Sequence, residues 1–533
     1  MSILLLFTLI LSACGGGTST SHAHTLTIGE VGDNYVRNFN PYTFGSGGPP
    51  TEMIYESLLY TNLAKGTINP WLASSYNFSN DNKQLTFHLH DNVKWSDGKP
   101  FTAKDVAFTF NLMHQYPGMD VSQIWNYLSS VQASDDHTVV LSFKTPFTPM
   151  VWYLGRLQIL PQHIWSTVGD PTKYADANPI GTGPFVLKTY TSQMVTVTKN
   201  PHYWQQGKPA ITQINYPIYK SNDTLQLQLF TNKLDWATIY APNLQRNYVN
   251  RDSTNHHFWL VPDNTIMFYV NNAKAPFNQL AVRQAISEAL DRQKMAQIAE
   301  NNYDQVASPT GVILPNNQNY LDPQYAHLTF QQDVNKARQT LEQAGWKLGS
   351  DGIFTDKNGH RLAFTINVPS TYSDEIQICQ IASQDLRQAG MDASINTLSY
   401  TDWANNKQLG QYDVTIDNDG GGLNPFYYFN RTLNSVRSAP IGQNSQSNFA
   451  RWQDPKTDHL LNQFASTNDP NVQKQAIYGL EKIFVEQMPT IPLLNAPMWF
   501  EYNSSHLNGW PDENNPYVTI ASPEQITLNL QTK

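Results

Sequence analysis

The stretch that decides the fold is Val93–Asn111, VKWSDGKPFTAKDVAFTFN. Val93 and Trp95 read as the close of an alternating strand that begins with LTFHLH at Leu85. Asp97-Gly98 is a turn dipeptide, because Gly tolerates positive φ and Asp can bond its own backbone. Thr102 followed three residues later by Asp105 is a helix N-cap with an acid at the third position, which also suits the positive end of the helix. Val106, Phe110 and Met113 then share one face of that helix. The segment reads as strand, turn and capped amphipathic helix.

Working outward, 533 residues are too many for one small core and point to several domains or a large bilobed body. Charged residues make up only 14 % and aromatics 12 %, a balance opposite to that of a disordered chain. The net charge is −9 and no basic run is present, so nucleic-acid binding, which needs clustered Lys and Arg, is set aside. No H-E-x-x-H, G-x-S-x-G, phosphate-binding loop or C-x-x-C occurs, so neither a catalytic residue nor a cofactor is assigned. Glycosidases need only two carboxylates from anywhere in a chain, so a secreted carbohydrate-active hydrolase stays open as an alternative. His88 and His90 share a strand face without a third ligand, His256 and His257 point apart if extended, and no metal site is assigned.

W-S-D-G-K-P-F-T-A-K-D-V-A-F-T-F (95–110) resembles the signature segment of the family 5 extracytoplasmic solute-binding proteins, the oligopeptide- and dipeptide-binding group of ABC importers. Gly181-Thr182-Gly183-Pro184-Phe185 resembles the family's G-T-G-P-Y/F element, and N-P-H-Y-W…K-P (200–209) another of its patterns. A third match, A-P-F-N-Q-L-A-V-R-Q-A-I-S-E-A-L-D-R (275–292), has Asn278 in place of the usual acid, and Asn278 reads as the cap of the following helix. The matches spread over almost the whole chain from Leu26 onward. The resemblance implies an α/β fold of two lobes with a hinge, the type II periplasmic-binding-protein arrangement, with a strand-rich subdomain in the first lobe. The expected division is 25–64, 180–262 and 500–533 for lobe 1, 65–179 for its insert and 263–499 for lobe 2. The crossings place the hinge at Pro262, Asn264, Asn495 and Pro497. The resemblance also implies binding rather than chemistry: lobes close on a solute, and the closed form docks on an ABC permease. A receptor feeding a sensor system is the other alternative.

At the N-terminus, ILLLFTLILSA (3–13) is too short for a membrane-spanning helix and is followed by Cys14 and three glycines. This arrangement resembles a bacterial lipoprotein signal. Residues 1–13 are then a signal peptide, Cys14 carries the lipid, 14–24 form a flexible tether, and the expected protein is a monomer on the extracytoplasmic side of the cell membrane. Cys379, among apolar residues at helical spacing, reads as a core thiol.

For the solute, peptide-binding members commonly hold the α-amine with an Asp in a segment resembling W-G-A-D-Y-P-D-P. The corresponding N-D-G-G-G-L-N-P (418–425) places Gly421 at that Asp. Asp417, Asn418 and Asp419 lie beside it as candidate hydroxyl or amine partners, followed by Tyr427 and Tyr428. Trp236 and Tyr240, with Trp403, are candidate stacking platforms, since some members of the family bind oligosaccharides. Both a peptide and an oligosaccharide remain open, with the departure at Gly421 tilting toward sugar.

Overall fold

The computed structural model describes residues 24–43, 48–445, 447–520 and 522–533. The expected signal peptide, Cys14 and nearly all of the tether lie outside these residues. Among the described residues no helix is long and apolar enough to cross a membrane.

The opening segment folds much as read. Helix Ala103–Gln115 begins after Thr102, whose backbone N–H donates to Asp105 Oδ2 at 2.9 Å. Asp105 also accepts from the backbone N–H of Gln162 at 3.0 Å, so one carboxylate fastens two helix starts. The strand is shorter than expected. It covers Gln84–Leu89, and Val93–Trp95 instead form a tight loop closed by Trp95 N–H to the Lys99 carbonyl at 2.8 Å. Gly98 at φ 89° makes that turn possible. Strands Ala73–Phe78, Gln84–Leu89, Thr138–Phe143 and Leu128–Ala133 form one antiparallel sheet in that order. Alternate residues of Thr138–Phe143 are buried, as a sheet with one covered face requires.

Around this subdomain lies a second sheet: Thr25–Thr27, Gln213–Tyr219, Met194–Lys199 and Phe185–Thr191, with Glu30–Val31 on the far half of Gln213–Tyr219. Residues 51–60, TEMIYESLLY, have helical composition, yet this region forms only a single turn, Pro49–Glu52, followed by the strand Leu59–Asn62. The cause is a distant segment: backbone carbonyls of Met53 and Ile54 are taken by Phe185 and Gly183 N–H groups of the G-T-G-P-F element, at 3.1 and 2.9 Å, and cannot continue a helix. A Cβ on Gly181 would stand 1.8 Å from the Ile54 carbonyl oxygen, which explains the first glycine of that element.

The other large sheet has the order Gln305–Val306, Ile491–Met498, Val261–Val270, Val414–Gly420, Ala363–Pro369, Asp392–Leu398. The last three strands are parallel to one another, and Val261–Val270 runs against both of its neighbours. Helices Leu280–Ala289, Val334–Gln343 and Ser373–Gln388 bury their apolar faces on it, with Cys379 fully enclosed. Leu280–Ala289 is preceded by Gln279, not capped by Asn278 as expected. Its neighbour Val334–Gln343 is capped by Asp333, which accepts from Lys336 N–H. Helices Pro425–Leu433, Pro455–Ala465 and Pro470–Gln487 turn away from this core and pack on the first subdomain, where Phe426 meets Phe147 and stacks on Phe464 at 4.5 Å.

Strands Val261–Val270 and Ile491–Met498 lie side by side. Val261 pairs with Met498 and Pro262 with Pro497, with a register shift between Pro262 and Asn264. Just outside, Glu501–Asn503 joins Trp236–Ala237 and His256–Phe258 in a small sheet.

Candidate functional site between the lobes

Parallel strands Ala363–Pro369 and Val414–Gly420 end at one edge of the large sheet. In open α/β sheets the carboxyl ends of parallel strands are where loops leave room for a ligand. The neighbouring antiparallel strand starts at that edge, so Asp263 and Asn264 lie beside Gly420. The first lobe faces it with helix Met150–Gly155 and Arg156. Between them lies a cavity of about 240 Å³, walled by Trp152, Tyr153 and Arg156 on one side and by Asp263, Gly420, Gly422, Tyr427, Arg431 and Arg437 on the other.

One ion pair stands at this cavity. Asp419 accepts from the Tyr269 hydroxyl at 2.6 Å and forms an ion pair with Arg431, whose guanidinium also donates to the Gly420 carbonyl. Asp263 is pushed up to about 6 by burial, an effect that Arg431 and Arg156 oppose. Arg156 lies over the Trp152 ring at 4.5 Å. The Tyr427 ring packs 5.1 Å from Trp152 and 5.7 Å from Tyr153.

Asp417 and Asn418 point to opposite faces of the strand end. Asp417 pairs with Lys407 at 2.5 Å and is pushed up to about 6 by burial, which Lys407 offsets. Asn418 donates to Glu375 Oε1 at 3.4 Å.

The remaining sequence candidates are placed as follows. Tyr428 is buried, its hydroxyl against the Met267 sulfur at 3.6 Å. Trp403 is buried too, donating to Thr415 Oγ1 at 2.9 Å, with Lys407 Nζ 4.0 Å over its ring. Trp236 packs edge-on to Phe500 and Trp510 inside its own lobe and does not face the cavity. Tyr240 is half-buried at the far end of the lobe boundary. It donates to the Ala299 carbonyl at 3.2 Å and accepts from Asn301 Nδ2 at 2.7 Å. Of the named hinge residues, Asn495 bonds Thr265 Oγ1 across the paired strands at 3.3 Å, and Pro262 accepts from Asn316.

Gly421 has its own reason. Its N–H donates to the Asp263 carbonyl at 2.6 Å, and a Cβ there would meet Ile313 Cδ1 at 2.7 Å. The backbone lies too close to Ile313 for an aspartate to occupy the position unless Ile313 moves.

A model of the bacterial extracellular solute-binding proteins, family 5, matches residues 67–439. The chain belongs to this family. This family 5 protein is 27 % identical to the nickel-binding periplasmic protein of Escherichia coli, over 83 % of the chain and 84 % of that protein. It is 23 % identical to the oligopeptide-binding protein OppA of Bacillus subtilis, over 92 % and 93 %. Its fold is similar to a periplasmic oligopeptide-binding protein of an oligopeptide ABC transporter from Thermotoga maritima, with TM-score 0.88, 24 % identity and coverage of 96 % and 100 %. The mannohexaose-bound form of that protein matches with TM-score 0.83. These likenesses place the family 5 chain in the bilobed binding-protein fold, as its motifs imply. Among its described residues, no group of three or more His, Cys, Asp or Glu side chains is placed to hold a metal ion.

Sequence reading missed Trp152, Tyr153, Arg156, Asp263 and Arg431, which wall the cavity, and Glu300, Asp304 and Glu375, which are buried at the Tyr240 end. Asp263 was within reach, since it sits in the expected hinge. The others carry no motif.

Proposed function

We propose that this protein is the solute-binding lipoprotein of an ABC import system, capturing an oligopeptide- or oligosaccharide-sized solute by lobe closure without chemically altering it. The observation that carries the reading is the cavity at the carboxyl edge of the large sheet, walled by charged and aromatic side chains from both lobes. A site whose walls come from two bodies is suited to closure, because bound solute favours the closed form through contacts made to both. The hinge in this reading lies at Pro262–Asn264 and Asn495–Pro497, where the crossing strands change register. Relatives named for oligopeptide binding, and a neighbour solved with mannohexaose, support a solute of that size. Lipid on Cys14 would hold the body at the extracytoplasmic face, beside its permease.

A thermal-shift screen against peptide and oligosaccharide panels tests this. A solute at one hundred times its dissociation constant adds about 2.7 kcal/mol to stability and raises Tm. No shift with any solute at millimolar concentration refutes the binding reading. Cleavage products detected by mass spectrometry would instead favour a hydrolase.

A further inference from the structure

At the Tyr240 end of the lobe boundary, the chain brings four carboxyl groups together from two segments. Glu300 and Asp304 flank the turn that leads into strand Gln305–Val306. Asp374 and Glu375 open helix Ser373–Gln388, which packs beside helix Arg292–Ile298. Glu300, Asp304 and Glu375 are buried, and Asp304 is only 4 % exposed. Yet both carboxyl oxygens of Asp304, Oε1 of Glu300 and Oε2 of Glu375 accept no hydrogen bond from the protein. Buried carboxyls are ordinarily paired or hydrogen-bonded. Here the group facing them from the next strand is the Asn418 amide, and Lys407 beyond it is already paired with Asp417. The first lobe closes over the cluster with Tyr240, whose ring meets Trp499 edge-on at 5.2 Å, and Trp499 in turn meets Tyr303 at 5.2 Å. Unpartnered acceptors walled by aromatic rings are the chemical complement of an organic cation.

We propose that Glu300, Asp304, Asp374 and Glu375 form a subsite for a protonated amine or guanidinium carried by the solute. This rests on the solute-binding reading above and narrows it. The cluster favours a cation over an anion even though a helix N-terminus adjoins it, because the first turn of that helix carries its own acids, Asp374 and Glu375. The subsite is separate from the Asp419–Arg431 pair, which is internally neutralised on the other face of the strand end.

The protonation of the cluster agrees with this. Burial first, then mutual repulsion, pushes Glu300 up to about 9 and Asp304 and Glu375 each up to about 8. The groups facing them are Asp374, Asp417, Lys407 and the phenols of Tyr240 and Tyr372. At neutral pH the solute-free cluster therefore holds protons. An entering cation stabilises the ionised carboxylates and releases protons to the buffer.

The test uses matched probes on the full chain: a hexasaccharide carrying an aminopropyl aglycone and its N-acetylated counterpart, and a lysine-containing pentapeptide with its fully N-acetylated counterpart. Calorimetry is run in two buffers of different ionisation enthalpy. The expected result is binding of at least one amine-bearing probe at least tenfold tighter than its acetylated partner, with proton release, and affinity that rises between pH 6 and pH 8. Asp304→Asn should weaken that probe tenfold or more, and by a larger factor than it weakens the acetylated partner. Equal binding of the acetylated partner, or binding without proton release, overturns the cation subsite while leaving solute binding intact. Calcium or magnesium alone raising Tm would overturn it in favour of a metal. No binding by any of the four probes overturns the cation subsite, whereas the binding reading stands or falls with the wider thermal-shift panels. Proton release is read on the wild-type protein, so the test does not depend on the variant folding.

Discussion

Asp419→Ala separates a strut from a ligand contact. Asp419 is buried at the cavity edge, where it accepts from the Tyr269 hydroxyl at 2.6 Å and pairs with Arg431. Tyr269 is itself fully buried, so losing its acceptor strands a hydroxyl, a loss of about 1–3 kcal/mol. Arg431 has 41 % of its side chain exposed to the cavity, so solvent screens most of its loss and roughly 1 kcal/mol is the appropriate size. Together the substitution should destabilise by about 2–4 kcal/mol, read from the midpoint shift in a urea titration at constant slope. Asp419→Asn keeps an acceptor for Tyr269 and should lose only the smaller part. If Asp419→Ala leaves stability within ~0.5 kcal/mol of wild type, the paired geometry is wrong and Asp419 is free to hold solute.

The same logic gives three further expectations. Gly181→Ala should destabilise by about 3 kcal/mol or more, because its Cβ would fall 1.8 Å from the Ile54 carbonyl and something must move; Gly169→Ala, with nothing within 4 Å, is the neutral control in the same urea titration. Trp236→Ala should cost roughly 3–5 kcal/mol as a core truncation yet leave solute affinity unchanged in the surviving folded fraction, measured by calorimetry; a large affinity loss at unchanged stability would return Trp236 to the site. Solute-free Tm should fall as pH rises from 6 to 9, since carboxyls whose folded values stand at about 8 to 9 bind protons that the unfolded chain has already released above its ordinary carboxylate range, and this part of the stability is lost by the time pH passes the folded values. In Asp304→Asn that slope should be shallower, and an unchanged slope would count against the clustered geometry.

The parts of the fold that could be read in advance are those written in neighbouring residues. The Thr102–Asp105 cap, the Asp97-Gly98 turn and the enclosed Cys379 each depend on a few positions and appear as expected. Misreadings arose where distant chain competes for the same backbone groups. Residues 51–60 have helical composition, but the Met53 and Ile54 carbonyls are claimed by residues 183–185. No local pattern announces that competition. Asn278 looked like a cap, yet the helix starts two residues later at Leu280, after the turn in which Gln279 N–H bonds the Pro276 carbonyl.

The candidate site was less legible for a related reason. Aromatic residues chosen because they neighbour acidic or family-like segments went to different places: Trp236, Trp403 and Tyr428 into cores, Tyr240 to the lobe boundary, and Tyr427 to the cavity. A ring's sequence neighbours say what it is joined to, and its function depends on what the other lobe sets against it.

The opening motif illustrates the division of labour. Val93–Asn111 shapes the first-lobe subdomain, and each of its identifying residues has a structural duty there, down to Asp97 holding His163 at 2.8 Å. The subdomain in turn carries Trp152, Tyr153 and Arg156 to the cavity. The motif therefore specifies the wall without specifying what the wall touches. Across the boundary the local rules are broken instead of obeyed: Asp304 is a buried carboxyl with no partner, in a fold whose Asp105, Asp333 and Asp419 are all bonded. Natural sequences hold such a local conflict where function requires it. Uncompensated carboxyls weaken the solute-free protein at high pH, and the same carboxyls would give a cationic solute its strongest contacts. A single substitution at Asp304 should consequently move stability at high pH and affinity in opposite directions, which a purely structural acid would not do.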